Sequence, residues 1–155
     1  MEIQKKAGIT LMEILVVIGV TVLLVVITLN SFSNLNRREA LKKEALQVAS
    51  IFDQARSLTL SSKNASKYGV HLEADKVTIF QGDTYSSGDP GNITTSLNPL
   101  VTITNIELSG GGSDLVFDRL TGATSQYGTT TISLSSDLAQ TKSVIIYPTG
   151  VSEIK

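Results

Sequence analysis

Glu13 is a carboxylate placed directly ahead of Ile14 to Leu29, a run that contains no charged residue. A charge inside an apolar helix costs about 2.5–3.5 kcal/mol on membrane-insertion scales, so Glu13 calls for a partner or an exit to water. Other reactive side chains are sparse. His71 is the one histidine of the chain. It lies between Val70 and Leu72 and reads as a satisfied or solvent-facing strand residue, without the companions that a catalytic or metal site needs. No Gly-x-Ser-x-Gly elbow or phosphate-binding glycine loop is present. Asp83, Asp89 and Asn92 crowd one polar loop, yet they lack the alternate-residue spacing of a calcium loop, and Asp89-Pro90-Gly91-Asn92 is a turn signature first. With no cysteine, disulfides and thiolate metal sites are excluded. The chain therefore reads as a non-enzyme without metal or cofactor. Asn64-Ala65-Ser66 and Asn92-Ile93-Thr94 match the glycosylation pattern, a match that arises often by chance.

The element that positions Glu13 is the apolar segment. Ile14 to Leu29 is interrupted only by Gly19, Thr21 and Thr28, and adding Ile9 to Met12 and Phe32 brings it to the roughly 20 residues that span a ~30 Å hydrocarbon core. A buried soluble helix is rarely apolar on every face over such a length. A secretory signal peptide would use Lys5 and Lys6 as its basic region, but Glu13 breaks the boundary and no small-x-small cleavage site follows Leu29. Glu13 can also snorkel to headgroups from the helix end. Lys5 and Lys6 favour a cytoplasmic N-terminus, whereas Arg37, Arg38, Lys42 and Lys43 at the far end vote for the opposite topology.

From Leu35 the chain turns amphipathic. Leu41, Ala45, Val48, Phe52, Ala55 and Thr59 follow three-four spacing, with Leu58 beside them and charges on the other faces. The helix is expected to end near Ser61 to Asn64, giving one helix from Ile9 to Ser62 of roughly 80 Å at ~1.5 Å per residue. Asn30-Ser31-Phe32-Ser33-Asn34 is a poor helix former and an expected flexible point. The stripe suits packing on a sheet or a coiled-coil seam.

After Asn64 the period changes to alternation. Tyr68 to Leu72 and Val77 to Phe80 read as a hairpin around Glu73 to Lys76. Gln81 to Pro99 reads as a long surface connection. Further strands are expected at Leu100 to Leu108, Leu115 to Phe117, Thr129 to Leu134, Val144 to Tyr147 and Val151 to Ile154. A long helix followed by about six or seven short, mostly antiparallel strands defines an α+β fold. The 155 residues hold an anchor and one domain, and the net charge of −1 supplies no strong field for nucleic acid or anionic lipid.

Gly8-Ile9-Thr10-Leu11-Met12-Glu13 resembles the prepilin motif of type IV pilins and type II secretion pseudopilins. The resemblance implies cleavage after Gly8 by the prepilin peptidase, N-methylation of Ile9, and a partner for Glu13 in the N-terminal amine of a neighbouring subunit. It also implies an N-terminus in the cytoplasm. Ile9 replaces the usual Phe, and Asn30 stands where many pilins have Pro. Ala55-Arg56, Tyr68-Gly69-Val70 and the closing Ile145 to Ile154 segment further resemble the GspH/FimT group of minor pseudopilins and pilins. The organisation so implied is a leader at 1–8, a transmembrane and filament-core helix at 9–33, an amphipathic half at 34–62 and a globular β domain at 63–155. The implied role is a structural subunit of a type IV pilus or a secretion pseudopilus. The alternative is a displayed binding module that acts through its β-domain loops. Implied partners are other pilin or pseudopilin subunits, the prepilin peptidase, the assembly-platform membrane protein and the bacterial inner membrane, followed by an extracytoplasmic filament. Some FimT-like pilins resemble DNA receptors with a basic tail, but Gly150 to Lys155 has no arginine and acids outnumber bases from Lys63 onward, which disfavours nucleic acid.

Overall fold

The computed structural model describes residues 10–155, and the side chains of all of these except 28–34 and 63. Helix α1 runs Leu11–Leu60, continuing through Asn30 to Asn34, and the chain divides into two compact units, Met1–Asn36 and Arg37–Lys155. In the first unit the large apolar side chains from Leu11 to Ile27 are exposed around the whole circumference, from 49% at Val25 to 80% at Leu11. Among the described residues no helix is long and apolar enough to cross a membrane. The transmembrane segment expected over 9–33 is therefore not supported; it also takes in Ile9 and the side chains of 28–34, which lie outside the described residues.

The second unit is built on the remaining turns of α1. Leu41, Ala45, Val48, Phe52, Ala55 and Thr59 are all buried, joined by Ile51 and by Glu44. The expected stripe is thus the core face, and it packs into one cluster with residues of both sheets rather than forming a seam. Burying a side chain such as Phe52 or Val48 contributes about 1.5–3 kcal/mol each. Ser62, Asn64 and Ala65 take positive φ after the helix, around the 3-10 turn Lys63–Ala65, and turn the chain into the first strand.

Eight strands follow among the described residues: β1 Tyr68–Leu72, β2 Lys76–Gln81, β3 Ile93–Ser96, β4 Val101–Leu108, β5 Asp114–Val116, β6 Gly128–Leu134, β7 Asp137–Ile146 and β8 Ser152–Ile154. They form two four-stranded antiparallel sheets, ordered β3-β2-β1-β5 and β4-β6-β7-β8. The hairpin at Glu73 to Lys76 forms as expected. Two elements differ from expectation. The Gln81–Pro99 connection contains β3, whose side chains are exposed or half-buried and so carry no alternation to read. Strand β7 starts at Asp137 rather than near Val144, because the residues from Asp137 to Ser143 are exposed or half-buried, Leu138 among them, and the strand is held there by pairing with β6 rather than by burial.

Gly69 shows why a Tyr-Gly-Val strand is needed here. A Cβ at this position would lie 2.4 Å from Phe80 Cζ and 2.7 Å from the Leu115 carbonyl oxygen. Strand β1 is paired on both edges, to β2 and β5, and Gly69 lets the Phe80 ring lie across it.

Candidate functional site

At the start of α1, Thr10 is the N-cap. The Glu13 N–H donates to Thr10 Oγ1 at 3.2 Å and the Ile14 N–H to the Thr10 carbonyl at 3.3 Å. Thr10-Leu11-Met12-Glu13 is therefore a capping-box sequence, with the acid in the first turn where the helix dipole favours it. That signal was legible in the Thr-x-x-Glu spacing and is a second, local reason for Glu13. Glu13 itself is exposed. Gly8 and Ile9, the expected processing residues, lie outside the described residues.

A second constellation joins α1 to the end of the chain. Arg56 Nε donates to the Gly122 carbonyl at 3.0 Å. Gly150, at φ 77°, packs so closely on that carbonyl that a Cβ there would lie 1.8 Å from the Gly122 oxygen. The Gly122 N–H closes a turn onto the Asp118 carbonyl at 2.9 Å, and Asp118 N–H donates to Ala123 O at 2.8 Å. Within that turn Leu120 has φ 75° and is 87% exposed. A bulky residue in the left-handed region costs about 1–3 kcal/mol, and here no burial offsets it. Next to the junction, Tyr147 Oη donates to Glu153 Oε2 at 2.5 Å, which holds the phenol above its ordinary pKa of 10.0, and Ser152 Oγ donates to Asp53 Oδ1 at 3.3 Å.

The third constellation surrounds His71. Its register partner on β5 is Asp114, so Nδ1 lies 2.5 Å from Asp114 Oδ1, while Nε2 lies 3.5 Å from Glu73 Oε1. Glu73 Oε2 pairs with Lys76 Nζ at 3.2 Å, and that hydrogen bond, with the charge attraction, raises the lysine's pKa. The Tyr85 ring stacks on the imidazole at 3.8 Å with an interplanar angle of 8°. His71 thus has the companions that its isolation in the sequence hid. Asp114 is remote in sequence and arrives only through strand pairing. The arrangement ties β1, β5 and the loop after β2 together. No group of three or more His, Asp or Glu able to hold a metal ion occurs among the described residues.

No protein-family model matches the chain, and no characterised protein matches it by sequence. Among solved structures, the type IV minor pilin FimU of Pseudomonas aeruginosa strain PAO1 is similar at a TM-score of 0.56, with 14% identity over 74% of this chain and 92% of that chain. The fold is pilin-like.

In the pilin-like domain the acidic loop residues are engaged by protein groups. Asp83 pairs with Lys67 at 3.2 Å, and Lys67 also reaches Asp118 at 3.2 Å, so both carboxylates raise the lysine's pKa, Asp83 most. Asp89 Oδ1 accepts from the Gly91 N–H at 2.7 Å and Asn92 Nδ2 donates to the Ser86 carbonyl at 2.7 Å. Those bonds make the Asp89–Asn92 segment a turn. Two residues that no motif singled out are Glu44, buried on α1 with Oε2 unpartnered among the described residues, and Leu120.

Proposed function

We propose that the chain is a structural subunit, a GspH/FimT-like minor pilin or pseudopilin of a type IV pilus or a type II secretion pseudopilus. The observation that carries the reading is the first half of α1. Its apolar side chains are exposed around the full circumference from Leu11 to Ile27, and the same helix continues into a pilin-like β domain. A helix of that kind is stable only when other apolar surface covers it, and helices of neighbouring subunits in a filament core supply such cover. Processing after Gly8, methylation of Ile9 and pairing of Glu13 with a neighbour's terminal amine belong to this reading and are supported by the sequence motif. An amine and a carboxylate that are each expensive in an apolar core become tolerable as a pair.

The location that goes with it is the bacterial inner membrane, crossed once with the N-terminus in the cytoplasm, before extraction into an extracytoplasmic filament. Support comes from the uncharged run Ile14 to Leu29 behind Lys5 and Lys6. Partners are other pilin-like subunits, the prepilin peptidase and the assembly platform. The role is structural rather than catalytic, and the weakly acidic β domain does not favour nucleic acid. N-terminal sequencing of the protein from the membrane fraction of peptidase-positive cells tests the reading. The expected mature terminus is Ile9; a chain still beginning at Met1 overturns it.

A further inference from the structure

We propose that loop 82–92 is a proton-controlled strap. It is closed over the outer face of the β3-β2-β1-β5 sheet when His71 is charged, and it releases at Tyr85 when His71 is neutral.

Alternation sends Val70, Leu72, Val77 and Ile79 into the core cluster with α1 and leaves Gly69, His71, Thr78 and Phe80 on the opposite face. That face is covered too, since Thr78 and Phe80 are each 1% exposed, although Phe80 lies outside the cluster that packs on α1. Tyr85 supplies cover. Its ring lies 5.7 Å from that of Phe80, tilted by 60°, and stacks flat on His71 at 3.8 Å. The two ends of the loop are anchored separately. At its base the Gly82 N–H donates to the Lys67 carbonyl at 2.9 Å and Asp83 pairs with Lys67 at 3.2 Å. At its far end the Asp89–Asn92 turn closes on itself and on the Ser86 carbonyl. Gly82, at φ 106°, joins the loop to β2 through a conformation that favours glycine and so serves as a hinge. Among the described residues, the Tyr85 ring contacts therefore join the middle of the loop to the sheet.

The seat of Tyr85 depends on a proton. Both nitrogens of His71 face carboxylates, Nδ1 that of Asp114 at 2.5 Å and Nε2 that of Glu73 at 3.5 Å. A neutral imidazole has one N–H and one lone pair, so it satisfies one carboxylate and turns the lone pair to the other; an imidazolium donates to both. A positive ring is also attracted by the aromatic face stacked on it. The charged and titratable groups around His71 are Asp114 from β5, Glu73 from the β1–β2 turn, Lys76 from β2 and Tyr85 itself. Lys76 alone opposes the charge, and its Nζ is already held by Glu73 Oε2 at 3.2 Å. Loss of the proton thus removes one hydrogen bond and the attraction to Tyr85 together. The strap is closed on the acid side and loosens as pH rises across the range in which histidines exchange their proton, about pH 5 to 8. Its base stays fixed throughout, because the two carboxylates beside Lys67 keep that lysine charged. The release is local, and it involves the second unit alone, so the inference is independent of the filament reading.

The chain has no tryptophan, so Tyr85→Trp places a single emitting reporter in the strap. Full-length Tyr85→Trp in detergent micelles is read by acrylamide quenching at about pH 5.5 and about pH 8. Quenching is expected to rise about threefold at the higher pH as the open population grows. With His71→Gln added, neutral at every pH, quenching is expected to be equal at both values and as high as the parent reporter's at the higher pH. With Glu73→Gln added, the transition is expected at lower pH, because the charged ring keeps only one of its two carboxylates. A variant that fails to fold cannot give that shift, since it retains no transition. Equal quenching of the parent reporter at both pH values overturns the strap. A rise that survives His71→Gln overturns the assignment to His71, and a transition that Glu73→Gln leaves in place overturns the role of the paired carboxylates.

Discussion

The Glu13 N–H donates to Thr10 Oγ1 at 3.2 Å, so Glu13 sits in the capped first turn of α1 independently of the pairing proposed for its carboxylate. Substituting Gln separates the two roles, because Gln also serves at the third position of a capping box but carries no charge. We expect Glu13→Gln to keep the helix start and still fail to enter fibres, while Thr10→Ala weakens the cap by about 1 kcal/mol. Fibre incorporation of Glu13→Gln at the wild-type level would remove the charge-pairing role. Glu44 poses the reverse problem. It is 5% exposed and its Oε2 finds no partner among the described residues. An unsatisfied buried polar group costs about 1–3 kcal/mol, so Glu44→Met is expected to raise the melting temperature. A lowered melting temperature would show that the carboxylate is partnered in solution. Glu13 was legible from the sequence because a charge stands out against an apolar run. Glu44 was not, because it sits next to Lys43 and Ala45 in a region where acids and bases alternate.

The elements were legible wherever one face is buried and the other is not. The helical stripe from Leu41 to Thr59 and the hairpin of β1 and β2 both show their period, and both form as the pattern indicates. Strand β3 and the first half of β7 lie where pairing, not burial, holds the chain, and pairing leaves no period to read. Gly69 marks a different limit. Its need for a missing Cβ comes from Phe80 and Leu115, on the two strands that flank β1. Gly69→Ala is expected to cost about 1–3 kcal/mol through overpacking, read as an earlier chemical-denaturation midpoint with an unchanged slope. An unaltered midpoint would mean that the Phe80 ring moves aside freely.

For the molecule as a whole, the pH dependence follows from three groups whose protons are held more tightly in the folded state. Lys67 is raised by Asp83 and then Asp118, Lys76 by Glu73, and Tyr147 by Glu153. Each contribution is fully present below the ordinary value, 10.5 for lysine and 10.0 for tyrosine, and is lost as pH rises through the raised folded value. All three groups are exposed to water, so the effect is small and weakens with salt. Melting temperatures should fall above about pH 10 at low ionic strength, and Lys67→Met should flatten that fall. A decline that is unchanged in the variant would assign it to other groups. At this scale the sequence by itself determined the division of labour: an uncharged apolar run must be covered, a three-four stripe must pack, and alternating segments must pair. Those follow from local periodicity, which a single chain displays in full. The tertiary structure alone decided which strands meet, and with them His71 beside Asp114 and Arg56 beside Gly122 and Gly150. Contacts between residues distant in sequence depend on register and crossing of elements, and neither leaves a period in the chain.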